Sequence, residues 1–269
     1  MSDTPDLLLQ RPQPDLAVLT LSRPHKLNAL AASTVRQLCA MLDELAADKR
    51  VRVVILTGAG RGFCAGWDLS SGSAAGSDAP NDVTANIEGQ ELFAGMVKRL
   101  RALDKVVIAA VNGVALGAGL ALTLGADLRI AARSASFHVG AIRIGLTAGE
   151  CGISYHLPRL IGAARAFELM LTGRPIGADE AGQWGLVSRV VDDAELMPAA
   201  LALAADVLRN SPYATRHTKP LMWQNLDASS LDAAIELENR AQVLALCTSD
   251  FKEAARAFAE KRPPVFTGR

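Results

Sequence analysis

The chain has 269 residues, 50% hydrophobic and 21% charged, which is ordinary globular composition and long enough for one large domain or two modest ones. Lys+Arg and Asp+Glu both number 28, so the formal net charge is zero and a polyanion such as nucleic acid is not expected as the main partner. The four cysteines (Cys39, Cys64, Cys151, Cys247) lie far apart with no C-x-x-C pair, which points to free thiols in a reducing compartment and against a zinc site.

The opening "MSDTPDLLLQRPQPD" lacks a cationic segment followed by an apolar core, so no secretory signal is expected and a cytoplasmic location is. "LAVLTLS" (16–22) predicts a strand. "STVRQLCAMLDELAADK" (33–49) predicts a helix, with Ser33 or Thr34 as cap and Val35, Leu38, Leu42 and Leu45 on one face. "VRVVILTG" (51–58) predicts a second strand. The Ser/Gly/Asp-rich run 70–82 cannot build a core and predicts a loop, expected to order when ligand binds. A helix is expected around 87–103, then the strand "KVVIAAVNG" (105–113).

From Val106 to Ala126 no residue is charged, and length alone would permit a membrane span. Asn112-Gly113 breaks the run, and Gly117, Gly119 and Gly125 follow, so a buried strand, a tight turn and a buried helix are expected instead. The short strands "DLRIAA" and "SASFHV" come next. The alternation predicts a parallel-sheet α/β core. From Pro158 on, the chain reads as mostly helical: 163–173, a short helix and strand in 177–191, then helices over about 194–209, 212–225, 230–247 and 249–261.

Two turns, "CAGWDL" (64–69) and "ALGAGL" (115–120), each follow a strand. Small residues there let a ligand approach the backbone, and such turns leave N–H groups without partners. Brought together, two of them would form an oxyanion hole, which stabilises negative charge developing on a carbonyl oxygen. Singly, each reads as an ordinary βα turn. G-A-G is a weak echo of a dinucleotide fingerprint, but the full pattern with its later acid is absent.

At this point the chain resembles a known family. "LSRPHKLNAL" (21–30), "GFCAGWDL" (62–69), "AAVNGVALGAGLAL" (109–122), "ADLRIAARSASF" (126–137), "LPRLIGAARAFELMLTG" (157–173), "EAGQWGLVSRVV" (180–191) and "FAEKRPPVFTGR" (258–269) resemble, in order and over essentially the whole chain, the enoyl-CoA hydratase/isomerase family, or crotonase superfamily. The resemblance implies a spiral of ββα repeats over 1–195 and a helical trimerisation region over 196–269, assembled as homotrimers or hexamers. It implies an acyl-CoA substrate whose thioester enolate is held by the backbone N–H groups of Trp67 and Ala118. Most relatives have Gly at the second position, so Ala118 adds a Cβ beside the site. It further implies coenzyme A contacts at Lys26, Leu27, Ala65, Gly66, Asp68 and Leu69, with Phe258 and Lys261 supplied by a neighbouring subunit. The Asp68 side chain is also expected to order its turn, and Lys26 and Lys261 read equally well as solvated surface charges. Coenzyme A enters as part of the substrate, and no resident cofactor, metal, nucleic-acid partner or membrane partner is implied.

Hydratases of the family carry two glutamates that hold and deprotonate water. Their positions fall here on Ala121 and Ala141, which can move no proton. Glu150, within "GLTAGECGISYHLPR" (145–159), occupies a third position, used for a catalytic Glu by peroxisomal-type Δ3,Δ2-enoyl-CoA isomerases and for a nucleophilic Asp by 4-chlorobenzoyl-CoA dehalogenases. The segment between Gly145 and Leu157 is one residue longer than in common hydratases, so the loop presenting Glu150 is expected to differ in shape. One desolvated carboxylate of raised pKa can remove a proton and return it elsewhere. The bland alternative is an acid favoured by a helix dipole. His138 and His156 read as hydrogen-bonded packing residues, Tyr155 as a donor or a core residue, and Cys64 and Cys151 as small hydrophobes.

The leading expectation is therefore enoyl-CoA isomerisation or hydration with one carboxylate. A hydrolase-type reaction with Glu150 as nucleophile is the enzymatic alternative, to be told apart by a covalent adduct. A non-catalytic acyl-CoA or RNA binder is the other class. Against it, the helix 33–49 sets Asp43, Glu44 and Asp48 against Arg36 and Lys49 and makes no basic stripe.

Overall fold

The computed structural model describes residues 5–71 and 82–269. The elements run β1 (Leu7–Gln13), β2 (Leu16–Leu21), α1 (Ala32–Ala47), β3 (Val53–Gly58), β4 (Gly62–Cys64), α2 (Val83–Ala102), β5 (Val106–Val111), β6 (Val114–Leu116), α3 (Ala118–Gly125), β7 (Leu128–Ala132) and β8 (Ser136–His138). They continue as α4 (Ile153–Ile161), α5 (Ala163–Thr172), β9 (Ile176–Gly177), α6 (Ala178–Gln183), β10 (Arg189–Val191), α7 (Leu196–Leu208), α8 (Pro212–Asn225), α9 (Leu231–Leu246) and α10 (Ser249–Ala259).

Two sheets result. The six-stranded one has the order β1-β2-β3-β5-β7-β10 and the four-stranded one β4-β6-β8-β9. Strand β2 and its successors in the large sheet are parallel, with β1 antiparallel at the edge. Each pass of the chain places one strand in each sheet and then a helix: β3, β4, α2; β5, β6, α3; β7, β8, α4. That is the expected ββα spiral.

Strand periodicity explains the layering. Val54, Leu56, Val107 and Ala109 join the core shared with α1 to α4 and the small sheet. Their alternates Val53, Ile55, Ile108, Ala110 and Ile130 face the other way and pack on Leu196, Ala200 and Ala204 of α7. The helical region expected from 196 thus opens with a helix that covers the large sheet.

Several details differ from the sequence reading. Helix α1 starts at Ala32 with Ala31 as N-cap, so neither Ser33 nor Thr34 caps it, and short strands β4 and β6 form where only turns were expected. Strand β1 was not expected, because Pro12 interrupts its pattern. It lies at an edge, with its register shifting between Gln10 and Gln13, which is where a strand tolerates proline. Helix α4 begins at Ile153 and contains Pro158. The loop expected at 70–82 begins in a short 3-10 turn at Leu69–Ser71, and its residues 72–81 lie outside the described ones. The uncharged stretch from Val106 forms β5, β6 and α3, and no helix among the described residues is long and apolar enough to cross a membrane.

The last helices dock at the N-terminal ends of the parallel strands. Arg52, just before β3, donates to the carbonyls of Leu208 (3.0 Å) and Asn210 (2.6 Å). Lys219 of α8 donates to Lys105 O and pairs with Asp127, each at 2.9 Å, just before β5 and β7. The two glycine turns lie at the opposite, C-terminal end of these strands.

Candidate active site

The first turn is built on two asparagines, Asn28 buried and Asn112 half-buried. Asn28 Nδ2 donates to Ala59 O (2.9 Å) and Gly62 O (2.7 Å), while its Oδ1 accepts from Arg23 N (2.8 Å). Asn112 Nδ2 donates to Gly60 O (2.8 Å), and its Oδ1 accepts from Gly58 N (3.1 Å). Together they hold the reversal that leads into β4. Leu27 and Asn28 themselves adopt positive φ, 49° and 59°.

Leu30 then bridges Trp67 in parallel fashion: Leu30 N donates to Gly66 O (2.7 Å) and Asp68 N to Leu30 O (2.9 Å). In such a bridge the middle residue turns its own N–H away from the partner strand. The N–H of Trp67 has no hydrogen-bond partner among the described residues. Neither has that of Ala118, the first residue of α3 and so an orphan donor by position.

The two turns interlock through glycines. A Cβ on Gly66 would lie 2.7 Å from Leu116 O, and one on Gly119 would lie 2.2 Å from Cys64 O. Each turn thus presses a bare Cα on the other's carbonyl, while β4 pairs with β6 directly before them. This reciprocal contact sets Trp67 and Ala118, each next to one of those glycines, side by side.

Glu150 completes the group. Its Oε1 lies 3.1 Å from where a Cβ on Gly117 would sit, and Gly117 directly precedes Ala118. Gly117 has φ 52° and ψ −117°, a conformation that suits glycine. Glu150 is half-buried and its carboxylate has no hydrogen-bond partner among the described residues; burial raises its pKa. The helix-acid alternative is not what the geometry shows. Cys151 (φ 46°) and Gly152 (φ 87°) separate Glu150 from α4, whose N-cap is Gly152 with no side-chain cap. Ala121 and Ala141 are both buried. The arrangement can therefore offer two backbone donors to an oxyanion and one unpaired carboxylate to a proton.

Of the residues expected to hold coenzyme A, Lys26, Leu27, Ala65, Gly66, Asp68 and Leu69 are brought together. Ala65 N donates to Leu27 O (2.9 Å), and Lys26 Nζ reaches Ser70 Oγ (2.5 Å) and Asp68 Oδ1 (3.5 Å). Leu69 is exposed. Asp68 is 5% exposed and orders the turn, accepting from Arg23 (3.0 Å), Ser70 N (3.1 Å) and Ser70 Oγ (2.6 Å). Burial alone would raise its pKa, but the hydrogen bonds from Ser70 and Arg23, with Lys26 nearby, bring it down to about 2. Phe258 and Lys261 are not brought to this group within the chain. Phe258 on α10 is 87% exposed, and Lys261 follows that helix, which belongs to the bundle docked at the other end of the strands.

The remaining candidates lie off the group or are inert. His156 is buried beside Arg101 and edge-on to Tyr155 and Trp223, and burial plus the neighbouring arginines push it down to about 4. Tyr155 hydrogen-bonds Asp227 and serves the docking of α8. His138 bonds Ser136 Oγ (2.9 Å). Burial pushes the thiols of Cys64 and Cys151 up to about 12, the latter with help from Glu150, so neither is a ready nucleophile. No group of three or more metal-binding side chains occurs among the described residues. Asn28 was not singled out from sequence, and Asn112 and Gly117 were named there only as breaks in the apolar run. Their only signal as site residues is their place within the quoted blocks.

Comparison with known proteins shows the family. The family model described as enoyl-CoA hydratase/isomerase matches residues 12–269. A "Probable enoyl-CoA hydratase" of Mycobacterium tuberculosis is 45% identical over 263 residues, covering 97% of this chain and 92% of that protein. The 1,2-epoxyphenylacetyl-CoA isomerase of Escherichia coli is 38% identical over 264 residues, covering 98% and 99%. The crystal structure of an enoyl-CoA hydratase from Bacillus anthracis superposes with TM-score 0.91 at 33% identity, covering 98% of this chain and 100% of that one. With the ββα spiral, the family model and these relatives all in accord, the chain belongs to the enoyl-CoA hydratase/isomerase family of enzymes.

Proposed function

We propose that this enzyme isomerises an enoyl-CoA thioester by moving a proton with Glu150. The observation that carries the reading is the unpaired, desolvated Glu150 carboxylate beside Gly117, while alanines stand at 121 and 141. The thioester oxygen sits between the N–H groups of Trp67 and Ala118. Glu150 removes a proton from the carbon chain, the N–H pair holds the dienolate, and the same carboxyl returns the proton at the other end of the conjugated system. Each such donor contributes about 3–4 kcal/mol to the transition state. The relative named 1,2-epoxyphenylacetyl-CoA isomerase supports isomerase chemistry on an acyl-CoA thioester, there with an epoxide in place of an enoyl group.

The hydratase names of other relatives favour a second reading, in which Glu150 activates a water that adds to the double bond. A panel of 3-enoyl-CoA and 2-enoyl-CoA thioesters separates the two. Isomerisation predicts appearance of the conjugated thioester absorbance from the first; hydration predicts its loss from the second. Full turnover in Glu150→Gln on either substrate would refute a proton-moving role, and an acyl adduct on Glu150 would make it a nucleophile instead.

Coenzyme A is read as lying along Lys26, Leu27, Ala65, Gly66 and Leu69. The enzyme works as a homotrimer or as a dimer of trimers, in which Phe258 and Lys261 of one subunit reach the coenzyme A of the next. Support comes from α9, where no residue is buried and Leu231, Ile235, Val243, Leu244 and Leu246 are bare. Light scattering of the purified protein tests the assembly.

A further inference from the structure

Trp67 carries a second N–H group, and it is out of place. The indole Nε1 is shielded from water and has no hydrogen-bond partner among the described residues. Buried polar atoms nearly always have partners, and a buried donor without one is destabilising. A phenylalanine would supply much of the same ring without that cost. The bridge to Leu30 sets the direction of the side chain. Bridged residues carry their side chains on one side, Leu30 is fully buried, and Trp67 packs on the edge of the same core. The residue as a whole is only half-buried. Its own backbone N–H, meanwhile, is one of the two donors beside Glu150.

We propose that Trp67 is a specificity-determining residue whose indole N–H donates to an oxygen carried by the acyl group, so that the preferred substrates are oxygenated acyl-CoA thioesters rather than plain hydrocarbon chains. This rests on the reading of Trp67 and Ala118 as thioester-binding donors. The backbone N–H of Trp67 holds the thioester oxygen, and the indole, on the same residue, reaches an acceptor a few bonds further along the chain. A hydroxyl, oxo or epoxide oxygen fits this role. An aliphatic chain leaves the donor unpaired, so discrimination comes from the orphan group itself.

The test compares kcat/KM for hexenoyl-CoA and its hydroxylated counterpart in the wild type and in Trp67→Phe, which keeps the backbone donor. The wild type is expected to favour the hydroxylated thioester, and the preference to fall about ten-fold or more in the variant. An unchanged preference would overturn the proposal and leave the orphan N–H as a purely structural feature. A readout on the native protein guards against a variant that fails to fold. In the ¹⁵N-labelled enzyme the indole signals of Trp67, Trp184 and Trp223 are assigned with Trp184→Phe and Trp223→Phe. Hydroxyhexanoyl-CoA is expected to shift the Trp67 signal downfield and hexanoyl-CoA not to, and equal shifts with both would refute the proposal. Glu150→Gln separates this from the proton-transfer reading. If that variant remains active, the base assignment fails while the Trp67 comparison still decides specificity.

Discussion

Glu150 is held in a position that folding alone would not favour when it is ionised. Its pKa is raised by burial, so the stability it contributes is present below its unfolded value and is lost as pH rises through the raised folded value. Glu150→Gln is therefore expected to unfold at a higher temperature than wild type at neutral pH and at a similar temperature in acid, where both side chains are neutral. Its turnover is expected to fall about 10²–10⁴-fold, the usual contribution of a positioned base. Thermal unfolding at the two pH values and steady-state rates check both halves. In the wild type, kcat/KM is expected to rise with pH along a limb whose midpoint lies above the ordinary carboxylate value. Asp68 has the opposite sign. Its lowered pKa contributes stability that is present above its unfolded value and lost as pH falls through about 2. An isolated acid in "GLTAGECGISYHLPR" was visible in the sequence. That its carboxylate lies against Gly117, thirty-odd residues earlier, was not, because Cys151 and Gly152 turn the chain by positive φ at residues with no local signature together.

At the scale of elements, the two glycine turns work as a pair. A methyl on Gly119 would lie 2.2 Å from the carbonyl oxygen of Cys64 and 2.7 Å from its Cβ. Backbone cannot yield as a side-chain tip does, so Gly119→Ala is expected to cost at least the ~1–3 kcal/mol of an overpacked core site, measured by denaturant unfolding. Gly117→Ala meets a softer neighbour, Glu150 Oε1 at 3.1 Å, but must hold φ 52°. Strain of this kind costs about 1–3 kcal/mol. The expected outcome is a displaced carboxylate and a kcat loss larger than the stability loss explains. The turns themselves were legible, since strand, small-residue turn and helix follow one another in sequence. Their interlock was not, nor were the contacts of Asn28 and Asn112, whose acceptor carbonyls lie in a different part of the chain.

For the whole molecule, the docking of α8 concentrates charge in a buried place. Lys219 is almost fully buried, and burial lowers its pKa against the pull of Asp127. Asp127 also accepts from Trp223 Nε1 (3.0 Å) and from Val107 N (2.8 Å). Asp127→Ala leaves the Lys219 ammonium without its counter-charge and is expected to cost about 3–5 kcal/mol, read from denaturant unfolding. On the proposed trimer, Leu244→Glu on the bare α9 is expected to leave the fold of the core intact and to yield smaller species in light scattering. The α/β class, the main strands and helices in order, the two small-residue turns and the lone acid were determined by the sequence, because hydrophobic period, glycine and charge act locally; the edge strand β1 and the short β4 and β6 were not. Which glycine meets which carbonyl, where Glu150 points, and that the last helices lie at the strand ends opposite the donor turns were decided only by the tertiary structure. Those contacts join residues far apart along the chain, and no local pattern encodes a distance between them.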